Sequence, residues 1–348
     1  MILQKYPYIF RSILNSCYLT IFTLFISCNN SNKKEVDVKN ISINFKKIDF
    51  YKDLFAADTN HLNESLQKLS DKYPDFSALF FNQLTGFNAN NNQDSFLKAA
   101  HHFLTYKDFR GLYDTVNAKF PNTKQLDKEL ESLFKHIKYY FPNEKWGTVY
   151  YFISGLNHYS AITYDTLLGI GLDMHLGKNY PYYPSVQLPL YEIVNCEPQN
   201  IQINASKAIF ESKYPINPDS KNLLDLMIQK GIEMTFVEYT IPTAPDELIM
   251  GYTKAQLQWC QDNERMIWSY FKKQNLVFST QWQQILRYIN DGPNSTGMPA
   301  ESPGNIGTWI GWQIVRKYLN ENPTEKWSDL LSKKIDSQQF LMKSKYKP

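Results

Sequence analysis

The chain has 348 residues, is 43% hydrophobic and 15% aromatic, and carries a formal charge of +3. That length and apolar content can fill one large core or two intimate ones, and without a basic stripe or polybasic block nothing points to nucleic acid as a partner. Past the N-terminal segment no apolar run reaches the ~20 residues of a spanning helix, so the body is expected to be water-soluble.

At the N-terminus Lys5 and Arg11 lead into a mostly apolar segment, Ile13 to Ile26, and Leu24-Phe25-Ile26-Ser27-Cys28 sets a small residue directly before a cysteine. This layout resembles a bacterial lipoprotein signal with its lipobox. It implies a signal peptide over 1–27, cleavage before Cys28, and lipidation of Cys28 by two or three acyl chains, enough for stable anchoring. The apolar stretch is too short for a spanning anchor and is interrupted by Asn15, Ser16 and Cys17. Residues 28–44 then read as a flexible tether, with no apolar side chain from Asn29 to Glu35. A single globular domain is expected over 45–348.

From Thr59 to Phe141 the pattern is one of short helices. In one of them Leu126, Leu130, Leu133, Phe134, Ile137 and Phe141 form a single apolar face, and Pro142 stops it. His136, beside that face, is expected to bond a carbonyl rather than a metal. Thr148–Ile153, Ser160–Tyr164 and Leu167–Leu172 are rich in β-branched and aromatic residues, which predicts three strands of a small sheet. Gly169 and Gly171, two apart, share one side of the last strand for close packing. Pro181–Pro184 and Pro189–Pro218 read as a long proline-punctuated connection with at most one short helix, of the kind that covers a surface or cleft.

Leu223, Leu224, Met227 and Ile228 predict an amphipathic helix closed by Gly231. Thr253 and Gln256 resemble a capping box, opening a helix through Phe271 with Glu264 on its apolar face. Pro303–Tyr318 predicts a helix with Gly304, Gly307 and Gly311 along one side, where another element comes close. Asn322-Pro323 reads as the cap and first residue of a further helix. The fold class is α+β, predominantly helical, with a small β-sheet in the middle of the chain.

Standard catalytic patterns are missing. There is no HExxH or HxxEH, and His61, His101, His102, His136, His158 and His175 include no pair at a three or four residue step. GxSxG, a phosphate-binding loop and a dinucleotide fingerprint are absent too, so no catalytic residue, metal ligand or cofactor is assigned. Asp173 and Glu264 are the acids to watch, with Arg265, Arg287 and Arg316 as available partners. Asp173, Glu264 and Arg316 are read as structural or cleft residues, because a paired buried charge needs no reaction to explain it. Cys196 and Cys260 remain once Cys17 leaves and Cys28 is acylated; they permit a disulfide in an oxidising compartment, or serve as two buried thiols.

Several strings in order carry a resemblance: His136-Ile137-Lys138-Tyr139-Tyr140-Phe141-Pro142, Gly169-Ile170-Gly171-Leu172-Asp173-Met174-His175-Leu176-Gly177-Lys178, Leu223-Leu224-Asp225-Leu226-Met227-Ile228, Gly251-Tyr252-Thr253, Trp259-Cys260-Gln261-Asp262-Asn263-Glu264, Pro303-Gly304-Asn305-Ile306-Gly307-Thr308-Trp309-Ile310-Gly311-Trp312-Gln313-Ile314-Val315-Arg316 and the terminal Ser344-Lys345-Tyr346-Lys347-Pro348. From about Phe45 to the end the chain resembles the gliding motility lipoprotein GldB family of the Bacteroidetes. The resemblance implies a membrane-anchored envelope lipoprotein required for gliding, linked to type IX secretion, whose partners are the membrane and other gliding or secretion proteins. It transfers no residue role beyond the lipidated cysteine. In Bacteroidetes lipoproteins an acidic run after the cysteine resembles a surface-export signal; its absence here implies a lipid-anchored position facing the periplasm. The family is also distantly similar to zinc peptidases whose HExxH helix is followed by a Glu-Gly segment. The corresponding stretch, Leu223 to Glu233, has no histidine pair before it, which implies a pseudoenzyme on a degenerate zinc-peptidase-like fold, a noncatalytic structural or binding component. The alternative is a periplasmic hydrolase acting on peptide or glycan.

Overall fold

Four short strands, β1 (Lys46–Ile48), β2 (Thr148–Phe152), β3 (Ala161–Tyr164) and β4 (Leu167–Gly171), form a mixed sheet in the order β1-β2-β4-β3. β2 runs parallel to both β1 and β4, and β3 pairs antiparallel with β4. The computed structural model describes residues 36–87, 92–216, 219 and 221–348, and Val36–Pro348 makes up one unit. The predicted class holds: this unit is α+β and predominantly helical. The β3–β4 hairpin turns over two residues, Asp165 and Thr166, with Asp165 in the left-handed region (φ 50°) that Asp tolerates better than most residues. A methyl group at Gly171 would overlap the Tyr159 carbonyl, so this glycine serves backbone packing.

A long parallel crossover joins β1 to β2 through α1 (Phe50–Phe55), α2 (Leu62–Lys72), α3 (Pro74–Leu79), α4 (Gln93–Thr105), α5 (Lys107–Lys119) and α6 (Lys124–Tyr140). α6 buries the expected stripe of Leu126, Leu130, Leu133, Phe134 and Ile137, and its His136 lies 2.8 Å from the Ser132 carbonyl through Nδ1. Aromatic rings join these helices to the sheet: Phe76 stacks on Tyr150 with centroids 4.2 Å apart, and Phe50 and Phe80 pack behind it.

Beyond the sheet come α7 (Leu190–Ile193), α8 (Ile201–Lys213), α9 (Leu223–Thr240), α10 (Asp246–Met250), α11 (Lys254–Lys273), α12 (Trp282–Ile289), α13 (Ile306–Glu321) and α14 (Ser337–Ser344). α9 and α13 are buried on nearly every side, as central helices are when apolar residues surround their axis. They cross at a pair of glycines. A side chain on Gly311 would overlap the Met227 carbonyl, and one on Gly231 would overlap the Gly311 backbone.

That crossing corrects one expectation: Gly231 does not close α9 but lies inside it, chosen for close approach rather than for a left-handed turn. The glycines near α13 also differ from the predicted single face. Gly304 precedes the helix and sits 2.5 Å, at its would-be Cβ, from the Gly292 carbonyl; Gly307 meets the Tyr288 carbonyl at 2.6 Å; only Gly311 faces α9. Asn322 ends α13 instead of opening a helix, and a 3₁₀ turn at Trp327–Leu331 follows. The proline-punctuated connection holds a full helix, α8, whose polar and apolar residues are not sorted to opposite sides. β1 is an additional strand, with two exposed lysines and one buried isoleucine.

Candidate functional site

The proline-punctuated connection does border a cleft. Segments from six parts of the chain converge on a cavity of about 240 Å³: His158 and Ser160 before β3, Met174 after β4, Leu188 to Asn200 in the connection, Ile203, Asn204 and Lys207 on α8, Leu248 to Gly251 at the end of α10, and Asp291 after α12. Larger hollows, about 560 Å³ between α2, α3 and α4 and about 640 Å³ beside β2 and β4, are somewhat more open to solvent than this cleft. The cleft is the better candidate because its walls come from distant parts of the chain and combine amide, carboxylate, ammonium and apolar groups.

Asp173 lies beneath one wall, fully buried. Its Oδ2 accepts hydrogen bonds from the Ser154 N–H (2.9 Å), the Ser154 hydroxyl (3.2 Å) and the Leu156 N–H (2.8 Å). The carboxylate thereby holds a turn in which Gly155, Leu156 and His158 all have positive φ, at 83°, 64° and 63°. Left-handed Leu and His cost roughly 1–2 kcal/mol each, and this turn sets His158 at the cleft rim. Burial raises the Asp173 pKa to about 6, against the lowering effect of those donors. His175 is also fully buried; burial lowers its pKa to about 4 although the Gly171 carbonyl, 2.9 Å from Nδ1, favours the charged form. As neutral imidazole it donates from Nδ1 to Gly171 and accepts at Nε2 from the Asn204 amide (3.1 Å).

These two groups oppose one another in pH. Asp173, raised when folded, contributes stability that is complete below pH 4 and lost as pH climbs through about 6. His175, lowered when folded, contributes stability present above pH 6.5 and lost as pH falls through about 4. In urea unfolding between pH 4 and 7 the two slopes nearly cancel in the wild type. Asp173→Asn is expected to leave a chain that loses stability toward pH 4, and His175→Gln one that gains it, each by about 2–3 kcal/mol. Identical pH profiles in all three proteins would contradict these assignments.

The other two singled-out residues lie in separate networks. Arg316 on α13 pairs with Glu238 on α9 (Nη2 to Oε1, 2.9 Å) and with Asp246 on α10 (Nη1 to Oδ2, 2.6 Å), and its guanidinium stacks 3.7 Å over the Trp312 ring. Trp312 Nε1 donates to the same Glu238 carboxylate at 2.9 Å. Burial alone would lower the Arg316 pKa, but Asp246 and Glu238 hold it above its ordinary value. Removing one partner from a buried pair costs about 3–5 kcal/mol, so Arg316→Met should lower the unfolding free energy by roughly that much, with partial recovery in Arg316→Met, Glu238→Gln. Denaturant unfolding of the two variants checks it.

Among the described residues Glu264 pairs with no arginine. Its Oε1 accepts from the Tyr346 hydroxyl at 2.7 Å, and burial raises its pKa in spite of that bond. Arg265 and Arg287 are exposed. Cys196 and Cys260 are free, buried thiols rather than a disulfide, each pushed up to about 12 by burial, which makes them poor nucleophiles. Cys28 lies outside the described residues. Among the described residues no three His, Cys, Asp or Glu side chains gather as a metal site, and no helix is long and apolar enough to cross a membrane.

Sequence reading missed Glu233, Glu238, Asp246, Glu192 and Asp291. The signal for the first two was available: acids inside the apolar run of α9 must find partners, and Glu233 takes Lys230 at 2.7 Å. Glu192 and Asp291 are rim residues with no local pattern to mark them.

The model of a protein family described as gliding motility protein GldB matches residues 31–348. No curated protein and no solved structure matches the chain.

Proposed function

The chain belongs to the GldB family of gliding motility lipoproteins, and from that premise we propose that it is a noncatalytic component of the gliding machinery and its associated type IX secretion system. Anchored through Cys28 and facing the periplasm, it contributes a rigid helical body and uses its cleft for binding. The observation that supports a noncatalytic role is how the buried and half-buried acids are used: Asp173 holds a strained turn, Glu238 and Asp246 hold Arg316, and Glu264 holds Tyr346. Each is engaged in joining segments distant in sequence, and none needs a reaction to explain its burial.

A second reading, a hydrolase of envelope peptide or glycan, draws on one feature of the cleft. Partial desolvation, together with the nearby Asp291 charge, raises the Glu192 pKa, and such hydrolysis uses a carboxylic acid kept protonated as a general acid. Incubating the purified protein with cell-envelope peptide and glycan separates the two readings. The noncatalytic role predicts no turnover above buffer; turnover that disappears in Glu192→Gln overturns it.

A further inference from the structure

The cleft is lined by charges of both signs, Lys207, Glu192 and Asp291. Lys207 on α8 and Glu192 on α7 form no side-chain hydrogen bond or close ion pair among the described residues, although Lys207 lies near Glu211 and Glu192 near His158; Asp291 accepts the Asn305 amide at 2.8 Å on Oδ1 and lies near Lys230. Elsewhere the chain closes such charges efficiently, as in Lys230 with Glu233 or Arg316 with two acids. Glu192 and Asp291 are also near enough to repel, which a bound cation would relieve.

A fourth group is fixed from behind. Buried neutral His175 accepts the Asn204 amide N–H, which settles the orientation of that side chain and leaves its Oδ1 as an acceptor without a partner among the described residues. The cavity has a volume of about 240 Å³. That is room for a small molecule or the end of a peptide, not for a folded surface.

We propose that the cleft binds a small zwitterion of the amino-acid or dipeptide class, its ammonium between Glu192 and Asp291 with Asn204 Oδ1 as an acceptor, and its carboxylate on Lys207. The inference rests on the binding role given to the cleft above, and deepens it by naming the ligand chemistry. It requires no covalent step.

Calorimetric titration of the intact lipoprotein in detergent tests it, using a panel of free-ended dipeptides, each also as its N-acetyl and C-amide form. At least one free-ended dipeptide should bind, and capping either end should weaken it by about tenfold or more, as loss of one charge-assisted contact does. Lys207→Met should erase the difference between acid and amide, and Glu192→Gln with Asp291→Asn the difference between amine and acetyl. The wild-type comparison of capped and free ligands stands even if a variant folds poorly. Absence of saturable binding by every free-ended dipeptide, or equal binding by capped forms, overturns the proposal. Either result leaves the role in gliding to be judged separately, by its own association with envelope proteins.

Discussion

Gly311→Ala is expected to destabilise the protein by about 3 kcal/mol, and Gly311→Leu by more, to the point where little folded protein is recovered. Even a methyl group at this position would overlap the Met227 carbonyl of α9, and the obstacle is backbone, which cannot rotate away as a side chain can. Gly231→Ala, on the other side of the crossing, meets the Gly311 backbone and should behave alike. The control is Gly111→Ala on α5, where nothing lies within 4 Å and the helical propensity of alanine should stabilise by up to ~1 kcal/mol. Denaturant unfolding of the set decides it. If Gly311→Ala unfolds with the wild type, α9 and α13 do not cross as described.

Cys28→Ser is expected to move the protein from the membrane fraction to the soluble fraction, or to leave it as an uncleaved precursor. Each acyl methylene buried in the bilayer is worth ~0.8 kcal/mol, so two chains make the partition close to all or none. No helix among the described residues offers a second way to span the membrane. Metabolic labelling with a fatty acid and fractionation of both proteins checks it; unlabelled wild type with unchanged fractionation contradicts the anchor.

What could be read from sequence follows from the range of the forces involved. The capping box of Thr253 and Gln256 and the apolar stripe of α6 are local, and both stand where expected. A second capping box, Asn222 with Asp225, was present in the same form and passed unread. α8 was hidden because it is covered on several sides, so no single face needs to be apolar. β1 was hidden because three residues, two of them lysine, carry no periodicity; its pairing with β2 supplies the strand. Gly231 was misread because a glycine that ends a helix and one that admits a neighbour look alike until that neighbour, 80 positions away, is in place.

The site follows the same division. Asp173, Glu264 and Arg316 could be selected singly, since an acid after a buried strand or a charge on an apolar helix face must be accommodated. Their partners could not. Tyr346 is 82 residues from Glu264, and Glu238 is 78 from Arg316. Only the assembled fold brings them together, and the cleft, whose walls span residues 158 to 291, is less visible still.

The most direct test of membership in the machinery is chemical crosslinking of the tagged full chain in intact, gliding cells, with quantitative identification of what is joined to it. The account predicts stoichiometric capture of other gliding or type IX secretion envelope proteins, retained in the Glu192→Gln form. A chain that is captured alone, in cells whose spreading depends on it, would contradict a structural role in that assembly.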